Sequence, residues 1–154
     1  MSEKRNIPFS PPDITDQEID AVVEVLKSGW ITSGPNLASF EKEIEEYCNV
    51  DNSIALNSAT ASMELVLKTL DIKEGDEIIS TPYTYTATSS VAVHRGIKPI
   101  YVDVKKDSFY MDEEKLAEAI TPKTKVIMPV DIAGYPCDYD AIKSILKEKN
   151  REDI

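Results

Sequence analysis

The chain has 154 residues, of which 42% are hydrophobic, so it can bury one core of ordinary size but not two complete domains. Seventeen Lys and Arg residues against 28 Asp and Glu residues give a formal net charge of −11, which opposes binding to nucleic acid or to anionic membrane surfaces. The sequence has neither an apolar run of about 18 residues nor a signal-peptide pattern, so we expect a soluble, cytoplasmic protein.

Two amphipathic helices are predicted near the N-terminus. Thr15 and Glu18 form a capping-box pattern, and apolar residues at helical spacing continue to Gly29, which predicts a helix over about 15–28. After the turn-rich stretch GWITSGP, the spacing of Leu37, Phe40, Ile44 and Tyr47 predicts a second helix. We assign residues 1–52 to a helical segment that packs on a larger domain.

From residue 53 onward, apolar runs alternate with helical patterns in four βα units. The predicted strands cover 53–57, 77–81, 99–104 and 125–130, and each precedes a helical pattern, the last three at about 84–94, 113–120 and 138–149. This alternation predicts an α/β fold with a mostly parallel sheet and helices on both faces. The pattern of residues 53–154 leaves open whether this domain is complete or part of a larger one.

A phosphate site is one interpretation of the small residues that follow the first predicted strand. Ser58, Ala59 and Thr60 lead directly into a helix, whose free backbone N–H groups and positive dipole end attract anions. The alternative is that Ser58 or Thr60 only caps the helix. A nucleotide P-loop is excluded because Pro35 stands where its Lys would be.

Two further strand ends carry candidate ligand contacts. The ring of Tyr85, after the second predicted strand, offers a surface for stacking on a heteroaromatic ring, although such tyrosines often serve only in packing. Asp131 ends the fourth predicted strand and either contacts a ligand or caps a turn. With Cys48, Cys137 and His94 as the only cysteines and histidine, no disulfide framework or spaced metal site is expected.

The sequence resembles the DegT-type aminotransferases of nucleotide-sugar biosynthesis, which are fold-type-I enzymes dependent on pyridoxal phosphate (PLP). The resemblance runs from Ile7 to about Lys147 and is carried by seven segments in family order. These are SGWITSGP (28–35), FEKEIEEY (40–47), NSATASMEL (57–65), GDEIISTPYTYTAT (75–88), GIKPIYVDV (96–104), ITPKTKVIMPVDIAG (120–134) and PCDYDAI (136–142). The resemblance implies that the chain corresponds to the N-terminal portion of such an enzyme, with residues 53–154 as a partial PLP-binding large domain.

The resemblance also implies roles for individual residues. Ser58, Ala59 and Thr60 hold the PLP phosphate, and Tyr85 stacks on the pyridine ring. Trp30 and Thr32 lie near the active site of relatives and contact the sugar nucleotide, as does Asp131, where many relatives carry His. The implied amino donor is glutamate, the implied assembly is a homodimer, and the end product is left open between a surface polysaccharide, a modified lipid and an antibiotic.

The family's covalent anchor is implied to be missing from these 154 residues. Its Schiff-base lysine and the aspartate that pairs with the pyridine nitrogen occur downstream of every matched segment, so we expect no catalytic residue and no turnover here. Two alternatives stay open: a short non-catalytic α/β module that acts by binding or dimerisation, and a PLP-dependent sugar dehydratase of the same fold.

Overall fold

The structure is a computed structural model that describes residues 7, 8 and 10–154. The chain divides into two compact units, Met1–Ala55 and Leu56–Ile154. Within the described residues, no helix is both long enough and apolar enough to cross a membrane.

The first unit contains both predicted N-terminal helices, α1 (Asp16–Ser28) and α2 (Pro35–Cys48). The capping box at the start of α1 is confirmed, because the Glu18 carboxylate accepts a hydrogen bond from the Thr15 N–H at 2.6 Å while the Thr15 hydroxyl accepts one from the Gln17 N–H. α1 ends at Gly29, whose φ of 77° lies in the left-handed region that favours glycine. Neither helix has a buried residue, so their apolar faces remain largely exposed.

The predicted strand over residues 53–57 is wrong, because this segment forms no strand in the structure. Its backbone donors are instead taken by glutamates of α2. The Ser53 N–H donates to the Glu45 carboxylate at 2.9 Å, and the Ala55 N–H donates to the Glu41 carboxylate at 2.9 Å. A strand needs a neighbouring strand on at least one edge, and within the described residues this segment has none.

The second unit is built around the three remaining strands, β1 (Glu77–Ser80), β2 (Lys98–Tyr101) and β3 (Thr124–Ile127). They form a parallel sheet in the order β2-β1-β3, as the βα pattern predicts. Four α-helices accompany them: α3 (Ala59–Thr69), α4 (Ala87–Val93), α5 (Glu113–Ala119) and α6 (Tyr139–Glu148), with a short 3-10 turn at Ile132–Gly134.

Helices cover both faces of the sheet, which confirms the predicted fold class. Successive side chains of a strand point to opposite faces, and the consecutive residues Ile78 and Ile79 of the central strand show this directly. Ile78 packs with Leu67 of α3 and Val91 of α4, whereas Ile79 packs in a separate core with residues of α5 and α6. Both isoleucines are almost fully buried, as expected for the centre of a parallel sheet.

Candidate functional site

The topology brings the two predicted ligand-binding turns to the same edge of the sheet. α3 ends before β1 begins, whereas α4 begins after β1 ends and leads into the parallel strand β2. Both helices therefore start at the carboxyl edge of the sheet, where ligands bind in open α/β folds. Leu67 of α3 and Val91 of α4 belong to one core cluster, which places the two helices on the same face.

The turn at residues 58–60 combines a helix cap with open donors. Ser58 is the N-cap of α3, and its hydroxyl accepts a hydrogen bond from the Ala61 N–H at 3.2 Å, as the capping interpretation predicts. Among the described residues, the backbone N–H groups of Ala59 and Thr60 and the Thr60 hydroxyl have no hydrogen-bond partner. This donor set, at the positive end of an 11-residue helix, suits a phosphate group.

Tyr85 presents a free aromatic ring from the loop that follows β1. The residue is 80% exposed, and its ring stacks on no other aromatic ring of the described chain. The loop around it is held by hydroxyl groups. The Tyr83 N–H donates to the hydroxyl of buried Thr81 at 3.3 Å, and the hydroxyls of Thr84 and Thr88 lie 2.9 Å apart. A flat, accessible ring on a fixed loop suits stacking on a planar ligand.

An aromatic contact beside Tyr85 was not anticipated from the sequence. The ring of Tyr83 stacks on the ring of Phe109, with 4.9 Å between centroids and 22° between planes. Phe109 belongs to the loop after β2, so the pair joins the loops of two neighbouring strands. Only the strand order indicates that these loops are neighbours, since nothing in the local sequence connects the two rings.

Asp131 closes the turn after β3. Its carboxylate accepts hydrogen bonds from the Cys137 N–H at 2.9 Å and from the Tyr139 hydroxyl at 3.0 Å. The Cys137 N–H and the Tyr139 hydroxyl favour the charged carboxylate and hold the pKa of Asp131 below its usual value. The turn-capping interpretation therefore describes what Asp131 does within the chain, and its contact with a substrate stays a prediction.

We predict that Asp131→Ala lowers the free energy of unfolding by about 1 kcal/mol at pH 7, since two hydrogen bonds to an exposed carboxylate are lost. Because the pKa of Asp131 is depressed in the folded state, this stabilisation is present above the usual carboxyl pKa and disappears as the pH falls through the folded value. Urea unfolding at pH 7 and pH 3 measures the difference, and an Asp131→Ala effect that is equal at both pH values would contradict this interpretation.

Trp30 and Thr32 lie in the first unit, where they line a cavity of about 240 Å³ together with Gly34 and Leu37. Trp30 is exposed, and its side chain packs so closely on Gly34 that a Cβ there would stand 3.2 Å from the Trp30 Cβ. α2 starts beside this cavity with Pro35 and has no side-chain cap. The predicted substrate contacts of Trp30 and Thr32 stay predictions.

A second cavity, of about 460 Å³, lies at the amino end of β3, where Lys125, Lys149 and Arg151 line it together with Asp153, the ion-pair partner of Arg151. The Arg151 guanidinium is already engaged there, because it donates to the carbonyls of Thr121 and Thr124 at 2.5 and 2.6 Å. This cavity lies at the sheet edge opposite the turn at 58–60 and is the competing location for a phosphate.

Comparison with known proteins gives one consistent result. The model of the DegT/DnrJ/EryC1/StrS aminotransferase family matches residues 12–151. The spore coat polysaccharide biosynthesis protein SpsC of Bacillus subtilis is 40% identical over 147 residues, which cover 94% of this chain and 38% of SpsC.

Solved structures agree with the sequence match. Spr1654 of Streptococcus pneumoniae, assigned as a sugar aminotransferase and solved in forms with PLP and with pyridoxamine phosphate (PMP), is 49% identical, with a TM-score of 0.89 over 94% of this chain. NtdA of Bacillus subtilis, solved with bound PMP, is 36% identical, with a TM-score of 0.85 over 97% of this chain. The match covers 36% of the NtdA chain and 36–37% of the Spr1654 chains, so this chain spans little more than a third of its relatives.

Proposed function

Because the chain belongs to the DegT/DnrJ/EryC1/StrS aminotransferase family, we propose that the whole protein is a PLP-dependent aminotransferase that moves an amino group from glutamate to a keto-sugar nucleotide. The observation that carries this proposal is that α3 and α4 lie on one face of the sheet and both begin at its carboxyl edge. The open donors of Ala59 and Thr60 belong to the start of α3, and the free ring of Tyr85 belongs to the loop that leads into α4. The whole protein acts as a cytoplasmic homodimer in the synthesis of polysaccharide sugars.

The residues of this chain bind and orient the cofactor. The N–H groups of Ala59 and Thr60 and the Thr60 hydroxyl hold the phosphate, while the Ser58 hydroxyl keeps the first turn of α3 in place. Tyr85 lies against one face of the pyridine ring and fixes its plane. PLP supplies the electron sink that the amino-group transfer requires.

The proposed substrate contacts are Trp30 and Thr32, which line a cavity of the first unit, and Asp131, which lies in the turn after β3. Where many relatives carry His, the Asp131 carboxylate is held by the Cys137 N–H and the Tyr139 hydroxyl and keeps its negative charge at neutral pH. The site therefore presents an anion at this position, which favours a hydroxyl-rich part of the substrate over its phosphates.

We predict that the 154-residue chain does not catalyse amino transfer, because no lysine in it stands in the family's anchor motif. The test is borohydride reduction of the chain after incubation with PLP, followed by mapping of the labelled lysines by mass spectrometry. We expect scattered, substoichiometric labelling of surface lysines and no glutamate-dependent product from a keto-sugar nucleotide.

The matched control is the same protein extended through the family's lysine, which should carry one label on that single residue. Stoichiometric labelling of one lysine within the 154 residues would contradict the proposed location of the anchor. An extended protein that bound PLP but transferred no amino group to any keto-sugar nucleotide would contradict the proposed reaction.

A further inference from the structure

The loop after β2 forms a hairpin that contacts the loop carrying Tyr85. Val104 and Met111 form an antiparallel bridge, and the Lys105 N–H donates to the Tyr110 carbonyl at 3.1 Å. Met111 is 1% exposed and packs in the core with α5 and α6. The hairpin is therefore fixed to the domain at its base.

Phe109 projects from this hairpin onto the loop that carries Tyr85. Its ring stacks on Tyr83 with 4.9 Å between centroids. Tyr83 lies two positions before Tyr85 in the sequence, and its N–H is held by Thr81 at the end of β1. The loop is therefore fixed to the strand by one hydrogen bond and to the neighbouring hairpin by one aromatic stack. It is also joined to α4, because the Thr84 and Thr88 hydroxyls lie 2.9 Å apart and the Thr88 N–H donates to the Tyr85 carbonyl at 3.1 Å.

The side chain of Tyr85 has no comparable support of its own. It is 80% exposed, and within the described residues its hydroxyl and ring have no hydrogen-bonding or stacking partner. The direction of its ring therefore depends on the loop backbone, which is held on one side through Tyr83 and on the other by the hydrogen bond from the Thr88 N–H to the Tyr85 carbonyl. The stack that restricts the motion of Tyr83 therefore also restricts the motion of this backbone.

We propose that Phe109 is a positioning residue for Tyr85: through Tyr83 it holds the loop at 81–86 so that the Tyr85 ring is already oriented for the pyridine ring of the cofactor. This inference rests on the proposed function for its ligand. In the proposed arrangement Phe109 does not touch the cofactor. It lowers the entropy cost of binding, because the loop at 81–86 is already ordered before the cofactor binds.

The test compares Phe109→Leu with Phe40→Leu in the 154-residue chain. Both phenylalanines are exposed to a similar extent, 57% and 54%, but Phe40 lies in the first unit and has no stacked partner among the described aromatic rings. PMP is the probe for calorimetry because it lacks the aldehyde that reacts with surface lysines. We expect Phe109→Leu to weaken PMP binding about two- to tenfold, the range for one aromatic stack, and Phe40→Leu to leave binding unchanged.

Two further variants separate positioning from general loss of structure. Phe109→Tyr keeps the stack and should bind PMP like the unmodified chain. If Phe109 acts through Tyr83, the double variant Tyr83→Leu/Phe109→Leu should bind no more weakly than Tyr83→Leu alone. Equal weakening by Phe109→Leu and Phe40→Leu, or full additivity in the double variant, would overturn the proposal.

Hydrogen exchange gives a readout that does not depend on any ligand. Phe109→Leu should accelerate amide exchange at Tyr83 and Thr88, whose N–H groups donate to the Thr81 hydroxyl and the Tyr85 carbonyl, at least threefold, while exchange in the Ile78–Ile79 core stays unchanged. Unchanged exchange at both amides would overturn the positioning role whatever PMP does. Accelerated exchange together with no PMP binding by the unmodified chain would instead leave the positioning of the loop standing and overturn PMP binding by these 154 residues, while the function proposed for the whole protein is tested by the extended protein.

Discussion

The 154-residue chain should self-associate in solution, with a mass by light scattering of at least twice the 17.2 kDa of one copy. The apolar stripe of α1, formed by Ile19, Val22, Val23 and Leu26, is between 37% and 63% exposed. Covering such half-exposed side chains contributes about 1 kcal/mol each. The outer edges of β2 and β3 add unpaired strand donors and acceptors, which favour contact between copies.

The net charge opposes this association and makes it depend on ionic strength. A net charge of −11 on each copy repels the next, and salt screens that repulsion. We therefore expect the assembly to tighten as the ionic strength rises. A chain that stays at 17.2 kDa across micromolar to millimolar concentrations and at high salt would contradict this expectation.

Two double variants test whether the α1 stripe is responsible. Val22→Lys/Leu26→Lys places charge in the stripe and should weaken association at least tenfold. It also lowers the net negative charge, so dissociation cannot be attributed to stronger repulsion. Gln17→Lys/Ala21→Lys makes the same charge change on the opposite face of α1 and should leave the assembly intact. If both double variants associate equally strongly, the apolar stripe of α1 is not part of the interface.

Binding of PMP should depend strongly on its phosphate. Two N–H groups and one hydroxyl at the start of α3 are the only proposed phosphate contacts, and charge-assisted hydrogen bonds contribute about 1.5–3 kcal/mol each. We expect pyridoxamine, which lacks the phosphate, to bind at least 100-fold more weakly than PMP. Comparable calorimetric affinities for PMP and pyridoxamine would contradict a phosphate site at this turn.

Substitutions at Thr60, in the turn at 58–60, and at Tyr85 should each weaken PMP binding. Thr60→Ala removes one hydroxyl contact and is expected to cost about tenfold, while Thr69→Ala, at the far end of α3, is the matched control. Tyr85→Leu removes the stacking ring and is expected to cost about two- to tenfold. Tyr47→Leu controls for Tyr85→Leu, because Tyr47 is 89% exposed and lies in the first unit.

Local signals in the sequence were sufficient for much of the fold. Thr15 and Glu18 predict the start of α1 because a capping box needs only residues of one helical turn. The βα alternation predicts a parallel sheet because parallel neighbours require crossovers. The paired isoleucines of β1 then occupy opposite faces, as the fold class requires.

Features that depend on distant partners could not be predicted in the same way. The run at 53–57 has the composition of a strand, but its donors Ser53 and Ala55 bind glutamates of α2. Asp131 had two interpretations until Cys137 and Tyr139 were placed beside it. In each case the decisive contact joins residues whose proximity is set by the folded chain.

The turn at 58–60 combines a feature that the local sequence predicts with one that only the structure shows. Small hydroxyl residues before a helix are typical both of a cap and of a phosphate site, and the structure contains the cap at Ser58 while leaving the donors of Ala59 and Thr60 open. The two functions do not compete, because a side-chain cap satisfies only one of the free N–H groups of the first turn. The Ser58 cap is therefore compatible with the anion site we propose.

The most direct test is a crystal structure of the 154-residue chain in complex with PMP. We expect the phosphate within hydrogen-bond distance of the N–H groups of Ala59 and Thr60, with the Tyr85 ring stacked on the pyridine. A phosphate bound instead between Lys125 and Lys149 at the amino end of β3, or a pyridine ring out of contact with Tyr85, would contradict the proposed cofactor site.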